Sequence, residues 1–239
     1  MKITFRLRYH TNFGQSLFIL GNHESLGGGH PSRAVPLQYF AGDFWQVEIY
    51  FPDHSLPVAL RDWEYVLRDA DDSSVNDWGV GRFFNVNAHR DRDVLIVDSW
   101  NDAGAVENVF YTKPFANVLL RSSQTGVTIE VPSHTTHLFQ IKAPSLAFGQ
   151  TLCLVGSGAE LGLWSTVSPV FLDRPAEGDS LIARVDLSRA SFPLSYKYGV
   201  YDTMAAKFIR FEEGDNRSLN EPPPTGKYRK LHFQALSIY

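Results

Sequence analysis

The sequence has few of the features that mark membrane or disulfide-bonded proteins. Its 239 residues include one cysteine, Cys153, which stands in an apolar run and cannot form an internal disulfide. A lone cysteine in such a run is expected to be a small buried side chain. No apolar run approaches the roughly 20 residues of a membrane helix. No stretch of 11 or more residues shows the period of an amphipathic helix. These absences predict a strand-built protein with no membrane partner.

Basic residues are also scarce. The chain has 22 lysines and arginines against 26 acidic residues, a net charge of -4 and an isoelectric point near 6.0. Because phosphate binding depends on a basic surface, we expect no nucleic-acid partner. The first residues alternate between apolar and basic and form no apolar signal-peptide segment, so a cytoplasmic location is expected.

Sequence motifs for catalysis are missing as well. There is no nucleophile elbow, no phosphate-binding Walker loop and no His-Glu-x-x-His zinc motif. Sequence alone does not exclude a carboxylate pair for glycoside hydrolysis, but nothing singles one out. We therefore expect no catalytic residue and no cofactor in this chain.

Two segments suggest a metal only weakly. Asn22 and His23 follow a glycine, as in the metal-binding loop of calcineurin-like metallophosphoesterases, but the upstream motifs of that family are missing. A glycine turn after a strand explains the segment as well. The aspartates around Asp71 lack the glycine and distal glutamate of an EF-hand loop, so a solvated turn is expected. The sequence predicts no metal site.

An internal repeat organises the chain. Residues 13–27 map onto residues 148–162 at a constant offset of 135. Each copy begins with Phe-Gly-Gln and one hydroxyl residue, continues with four apolar residues and a glycine, and ends with Leu-Gly. Residues 35–37 fall on residues 170–172 in the same register. The repeat predicts two copies of one domain, at 1–100 and 135–239, joined by a connecting segment at 101–134.

Alternation of apolar and polar residues predicts strands throughout both copies. With few strands longer than eight residues and no helical period, we expect an all-β fold of two tandem immunoglobulin-like β-sandwich or open-barrel domains, each with about seven strands. Trp45 and Trp63 lie on alternating strands and are expected in the core or at a domain interface. The expected strands cover residues 2–9, 17–20, 45–51, 63–67, 83–86, 94–97, 138–142, 152–155, 183–187, 196–201, 207–211 and 228–235, with a possible hairpin at 118–120 and 127–131.

An ordered set of residues in the second copy carries a resemblance. Leu-Gly-x-Trp ends at Trp164, Tyr-Lys ends at Lys197, and Phe211 opens an aromatic-Glu-x-x-x-Asn-Arg run that includes Asn216. This order resembles the starch-binding modules of carbohydrate-binding module family 20. The resemblance implies that Trp164, Lys197 and Phe211 build one site for α-1,4-glucan, with Asn216 as a hydrogen-bonding neighbour, although the family usually has tryptophan at the position of Phe211.

Each of these residues also has a structural interpretation. Trp164 could be a core residue, Lys197 could be a solvated strand lysine, and alternation with Ile209 could turn Phe211 inward.

A second site of the family uses an aromatic residue just before the first glycine of the repeat. Phe148 has that place in the second copy and Phe13 in the first, where Tyr39 or Phe40 could complete the site. Packing beneath the strand is the alternative for both phenylalanines.

The first copy is degenerate at the first-type site. No tryptophan follows its Leu-Gly, and the lysine position falls on Glu64 or Val66, depending on the register. Trp78 is the remaining candidate for the later aromatic position. The first-type site of the first copy is therefore in doubt.

The tandem arrangement resembles a narrower group, the disproportionating-enzyme-2-type 4-α-glucanotransferases of glycoside hydrolase family 77. The resemblance implies a non-catalytic binding region for starch, glycogen or maltooligosaccharide, with a C-terminal catalytic domain as its partner in a longer cytosolic enzyme. The alternative is an interaction module that docks on the catalytic domain or mediates dimerisation, with sugar binding lost.

Overall fold

A computed structural model describes residues 1–52, 56–90, 93–105, 108, 129, 132–142, 146–173 and 180–222, and the backbone of 228–235. The chain divides into two compact units, Met1–Val106 with Thr225–Phe233, and Glu107–Pro224 with Gln234–Tyr239. Apart from residue 129, the hairpin expected at 118–120 and 127–131 lies outside the described residues.

The described structure is nearly all strand. Helical structure in these ranges consists of short 3-10 segments, which are Glu24–Leu26, Pro31–Arg33, Asn87–His89 and Ala159–Trp164. Among the described residues, no helix is long and apolar enough to cross a membrane. The all-β prediction is confirmed.

The described part of residues 1–105 in the first unit contains ten strands. In chain order they are β1 Lys2–Arg8, β2 Ser16–Leu20, β3 Val35–Pro36, β4 Gln38–Ala41, β5 Phe44–Tyr50, β6 Ala59–Arg61, β7 Glu64–Arg68, β8 Ser74–Asn76, β9 Phe83–Asn85 and β10 Asp93–Ser99. One sheet has the order β4-β5-β1-β10, in which β1 is antiparallel to β5 and parallel to β10. A second sheet has the order β3-β2-β7-β8, and β6 pairs with β9.

The core of the first unit follows from the alternation in its strands. Ile3, Phe5 and Leu7 of β1 are fully buried, whereas Thr4 and Arg6 between them face the other way. Phe5 meets Trp63 edge-on, with ring centroids 5.6 Å apart. Trp63 is fully buried as expected, and Trp45 is half-buried.

The second unit repeats this plan. Its strands are β11 His137–Lys142, β12 Gln150–Gly156, β13 Val170–Phe171, β14 Ser180–Val185, β15 Leu194–Asp202, β16 Lys207–Phe211 and β17 Arg217–Leu219. β11 is antiparallel to β14, and a second sheet has the order β13-β12-β15-β16 with β17 also on β15. Its buried core includes Phe139, Leu152, Leu154, Leu161, Tyr196, Tyr198 and Val200.

The last strand, β18 Tyr228–Ala235, pairs in parallel with β10, with Tyr228 opposite Asp93. This segment was expected to belong to the second unit. Its residues up to Phe233 group with the first unit, and its last two residues group with the second. Alternation predicts a strand but does not specify its neighbours, so the pairing with β10 was not predictable from it.

The strands that the sequence analysis missed are short. β3, β6, β8, β13 and β17 have two or three residues each and β4 has four, too few for a period to be read. Residues 83–86 were expected as a strand and do contain β9.

Candidate functional site

A glycine at the end of β12 starts the segment that carries Trp164. A side chain at Gly156 would overlap the side chain of Leu161, since an added Cβ would lie 2.7 Å from Leu161 Cδ1. Leu161 is fully buried against this glycine, and this packing holds the turn against the core. The turn is also tied to β15, because Ser157 N donates to Ser195 O at 2.8 Å. This packing explains why the repeat contains a glycine followed five residues later by Leu-Gly.

Trp164 ends this segment in an uncommon backbone conformation. Gly162, Leu163 and Trp164 have φ values of 79°, 50° and 62°, so three consecutive residues are left-handed. For residues other than glycine, this conformation costs roughly 1–2 kcal/mol each. Trp164 is half-buried and Leu163 is exposed. The prediction that Trp164 lies in a loop beyond β12 agrees with this structure.

Lys197 lies on β15, opposite Val155. Its Nζ donates hydrogen bonds to the backbone carbonyls of Gly214, at 2.6 Å, and Glu212, at 3.3 Å. The ammonium group therefore holds the loop that follows β16, and it is not a freely solvated lysine. Direct hydrogen bonding of Lys197 to a sugar stays a prediction.

Phe211 ends β16, opposite Gly199 of β15. Its ring packs against Phe208 at 4.6 Å, and Phe208 in turn crosses Gly199 so closely that an added Cβ would lie 2.4 Å from its ring. A register shift in this pair interrupts the alternation around Ile209, and Phe211 keeps 38% of its surface exposed. Because of this bulge, alternation with Ile209 no longer predicts that Phe211 points inward.

A buried ion pair fixes the loop between Phe211 and Asn216. Arg217 Nη2 donates to Glu212 Oε2 at 2.6 Å, and Glu212 Oε1 accepts from Tyr198 N at 2.9 Å. The guanidinium also lies over the ring of Tyr198, 5.5 Å from its centroid. The Glu212 carboxylate, by charge and hydrogen bonding, raises the pKa of Arg217 despite its burial. Asn216, exposed and directly before this arginine, is held at the edge of the loop.

These four residues lie on neighbouring segments at one end of the sandwich. The turn after β12 bonds to Ser195, Lys197 is two residues further along β15, and Tyr196 pairs with Arg217. The structure thus brings the segments of Trp164, Lys197, Phe211 and Asn216 together.

Phe148 lies at the opposite end of β12 and does not belong to this group. Six residue steps of β12 separate the two ends, about 20 Å of strand at 3.3–3.4 Å per residue. Phe148 is highly exposed. The thioether of Met204 packs on the neighbouring Gly149, where a Cβ would otherwise lie. Phe13 has the same place before Gly14 in the first unit and is fully exposed. Neither phenylalanine packs beneath its strand.

Strand register identifies the first-unit counterparts of the site. Leu20 pairs with Glu64 as Val155 pairs with Lys197, so Glu64 and not Val66 has the lysine position. Val66 pairs with Asn76 as Gly199 pairs with Phe211. The offset of 135 places Gly29 at the position of Trp164.

The same register corrects the equivalence suggested for Trp78. Asn76 has the place of Phe211, and Trp78 corresponds to Glu213, beyond the strand. Trp78 is half-buried, and its backbone N donates to Asn101 O at 2.8 Å. Burial raises the pKa of Glu64, although a hydrogen bond with Asn76 opposes that rise. The two positions that hold a lysine and a phenylalanine in the second unit thus hold an acid and an amide in the first.

The ion pair recurs in the first unit with an additional acid. Arg82 binds Asp77 through both terminal nitrogens, and Asp77 Oδ1 accepts from Tyr65 N at 2.6 Å. Asp98 lies behind this pair, and its Oδ2 accepts from Trp63 Nε1 at 2.8 Å and from Tyr65 Oη at 2.7 Å. Burial raises the pKa of Asp98 above its usual range, although Arg82 opposes that shift.

The two weak metal candidates have structural roles. His23 Nδ1 accepts from Ser25 N at 3.1 Å, and its ring packs against Phe51. Asp71 Oδ1 accepts from Ser73 N at 3.0 Å in an exposed turn, and hydrogen bonds to Ser73 lower the pKa of this carboxyl. Within the described ranges, no group of three histidines, cysteines or acids is arranged to hold a metal ion.

The sequence analysis missed several residues that support the site. Glu212 and Arg217 stood in the motif, but their spacing of five residues did not indicate a buried pair. The recurrence of an acid and an arginine at this spacing in Asp77 and Arg82 was the available signal. Phe208 and Met204 gave no signal, because their contacts depend on glycines in other segments.

Comparisons with known proteins agree with this plan. The model of the starch binding domain family CBM_20 matches residues 1–93 and 134–229, one match in each unit. Rice (Oryza sativa subsp. japonica) 4-alpha-glucanotransferase DPE2 is 27% identical over 98% of this chain, which spans 26% of the length of the rice protein.

Two solved structures align with part of this chain. A family 15 glucoamylase from Hypocrea jecorina aligns with 47% of this chain and 18% of its own, at 23% identity and a TM-score of 0.38. A family 20 module of the maltotetraose-forming amylase from Pseudomonas saccharophila aligns with 41% of this chain and 98% of its own, at 18% identity and a TM-score of 0.33.

Proposed function

Because the chain belongs to the starch binding domain family, we propose that its second unit binds α-1,4-glucan at the end of the sandwich that carries Trp164. One observation supports this most: Trp164, Lys197, Phe211 and Asn216 lie on neighbouring segments fixed to the core. The ligand class is starch, glycogen or maltooligosaccharide.

The residue types suit a sugar ring. A pyranose has one face of C–H groups and a rim of hydroxyls, and an aromatic face covers the C–H side with about 0.5–1.5 kcal/mol beyond the burial of area. Two aromatic rings at an angle follow the curve of an α-1,4-helical glucan and disfavour flat β-glucan. Asn216 and the loop carbonyls near Lys197 offer hydrogen bonds to the rim.

The proposed site is shallow, so a single contact is expected to be weak. The measured affinity reflects only the interaction free energy that remains after the cost of ordering the sugar and the side chains. Linked sites on one polymer recover roughly 10²–10⁴ in avidity where geometry allows. Phe148 in the second unit, and Phe13 with Tyr39 or Phe40 in the first, are the proposed second-type sites.

We further propose that the chain acts within a longer cytoplasmic 4-α-glucanotransferase. The similarity to the rice protein supports this, and the chain spans only 26% of that protein. In this proposal the chain binds and positions glucan, and residues outside it perform the glycosyl transfer with a catalytic domain as the partner.

A second candidate function concerns the first unit. Gly29, Glu64 and Asn76 replace the three main residues of the glucan site, so this face has lost its aromatic platform. An interaction module that docks on a catalytic domain or mediates dimerisation would retain the fold without the platform.

Isothermal titration calorimetry with maltoheptaose tests the proposal. The native chain is expected to bind, and Trp164→Ala is expected to weaken binding at least tenfold with its thermal unfolding midpoint nearly unchanged. Trp78→Ala is the matched control and is expected to bind as the native chain does. Unchanged binding by Trp164→Ala would show that the second unit does not bind glucan at the proposed site.

A further inference from the structure

The chain contains little sulfur, and one sulfur-containing side chain is far more exposed than the others. The sequence has one cysteine and two methionines. Cys153 is fully buried, and burial raises the pKa of its thiol to about 12, so the thiol stays protonated and unreactive. Met1 is half-buried, whereas Met204 has 75% of its surface exposed. An oxidant in solution therefore reaches the thioether of Met204 most easily.

Met204 has a fixed place beside the proposed second-type site. It lies in the turn between β15 and β16, where Thr203 donates to Gly149 O from its backbone N and from its Oγ1, both at 2.8 Å. Met204 N donates to Asp202 Oδ1 at 2.9 Å. The Sγ and Cγ atoms of Met204 would lie 3.0 Å from a Cβ added to Gly149. The thioether thus packs on the residue that follows Phe148.

The equivalent turn of the first unit has no thioether. Strand register places Tyr201 at the position of Arg68, so Met204 corresponds to Asp71. Asp71 is exposed, and its carboxyl has no sulfur that a peroxide could oxidise. The two second-type sites therefore differ in their chemistry, and only the site of the second unit has an oxidisable neighbour on this turn.

We propose that Met204 is a modification site, at which hydrogen peroxide converts the thioether to the sulfoxide and thereby weakens glucan binding at Phe148. A lone pair of Sγ attacks one peroxide oxygen, the O–O bond breaks and an S–O bond forms, and the other oxygen leaves with both protons as water. The sulfur is oxidised and the peroxide is reduced. This inference rests on the proposed second-type site at Phe148.

The sulfoxide disturbs this place in two ways. Because Sγ already lies 3.0 Å from the Cβ position of Gly149, an added oxygen leaves the side chain less room on the glycine. Oxidation also makes a flexible apolar side chain polar, next to an aromatic ring whose contact with a sugar depends on apolar surface. Methionine sulfoxide reductases restore the thioether, so the loss of binding is expected to be reversible.

Affinity electrophoresis in glycogen gels tests the inference on the native chain before and after treatment with hydrogen peroxide. Mass spectrometry is expected to find one added oxygen on the peptide that contains Met204. The affinity for glycogen is expected to fall roughly threefold, because avidity on a polymer depends on linked sites, and a methionine sulfoxide reductase is expected to restore it. The thermal unfolding midpoint is expected to stay nearly unchanged. Unfolding of the treated chain would overturn the inference.

Three variants assign the effect to its residue. Met204→Leu keeps an apolar side chain without sulfur, so its glycogen affinity is expected to be the same before and after peroxide. Met204→Gln is polar, as the sulfoxide is, and is expected to bind as weakly without treatment as the oxidised native chain. Phe148→Ala lacks the proposed sugar contact, so peroxide is expected to cause no further loss in this variant.

The outcomes distinguish the inference from the function on which it rests. If Phe148→Ala keeps the glycogen affinity of the native chain, the second-type site fails, and the inference fails with it. If Phe148→Ala binds more weakly but the oxidised native chain binds as tightly as the untreated one, only the inference is overturned. An equal loss in peroxide-treated Met204→Leu would assign the effect to another residue and also overturn it.

Discussion

Arg217 and Arg82 fix equivalent loops in the two units. Each binds an acid five residues earlier, Glu212 or Asp77, and each of those acids accepts from the backbone N of a buried tyrosine. The pair is therefore part of the shared fold and not of the glucan site. The sequence motif pointed to Asn216 and its arginine together, but only the structure separates an exposed amide from a partly buried guanidinium.

Removing Arg217 tests this structural role. Arg217→Met leaves Glu212 buried without its partner, and breaking a buried pair costs roughly 3–5 kcal/mol. Since the arginine side chain retains some exposure, we expect a loss of about 2–3 kcal/mol in the free energy of unfolding of the second unit. Urea denaturation measures it. A loss as small as that of Ser218→Ala, at an exposed neighbouring position, would show that the pair contributes little.

Asp98 predicts a dependence of stability on pH in the first unit. Its pKa is raised in the folded state, so its contribution to stability is complete at low pH and is lost as the pH rises above about 4, the ordinary value for aspartate. Asp98→Asn cannot ionise and is expected to lose no stability over that range.

Unfolding by urea at several pH values measures this difference. The stability of Asp98→Asn relative to the native chain is expected to increase from pH 4 upward, and Asp215→Asn, at an exposed position, serves as the control. A constant difference at all pH values would contradict the assignment.

At the scale of elements, the pairing of β15 with β16 determines where Phe211 lies. Phe208 crosses Gly199, and Phe211 packs on Phe208. The sequence predicted both strands but not the register shift between them, because alternation alone does not reveal a bulge. It also left the lysine position of the first unit open between Glu64 and Val66, and the pairing of β2 with β7 decided for Glu64.

Much of the element plan was available from the repeat. The constant offset of 135 predicted two units and located the segment of Trp164, because Gly156 and Leu161 pack together as Gly21 and Leu26 do. The left-handed run was not predictable, since leucine and tryptophan at 163 and 164 give no sign of it. The three glycines at 27–29 gave that sign in the other unit.

Gly199→Ala tests the link between this pairing and the aromatic platform. The added methyl would lie 2.4 Å from the ring of Phe208, so the ring and Phe211 must shift. Overpacking of this kind costs about 1–3 kcal/mol. We expect maltoheptaose affinity to fall severalfold in calorimetry, whereas Ser218→Ala in the same sheet leaves it unchanged. Native affinity in Gly199→Ala would show that Phe211 is not part of the platform.

At the scale of the whole molecule, the proposed sites of the second unit follow and precede opposite ends of β12, a strand about 20 Å long. A short oligosaccharide would occupy one of them, whereas a polymer would reach both. Phe148→Ala is therefore expected to reduce retention by glycogen clearly and to change maltotriose affinity less than twofold. Tyr50→Ala, at an exposed aromatic position outside the proposed sites, is the control. Equal losses for the polymer and the trisaccharide would place both ligands at one site.

The central claim is that the second unit binds α-glucan through Trp164. Affinity electrophoresis in gels with and without glycogen tests it most directly, with Trp164→Ala and Trp78→Ala run beside the native chain. Glycogen is expected to retard the native chain and Trp78→Ala, whereas Trp164→Ala is expected to migrate almost as it does without glycogen. Equal retardation of all three proteins, or of none, would contradict it, and the absence of retardation would favour the interaction module.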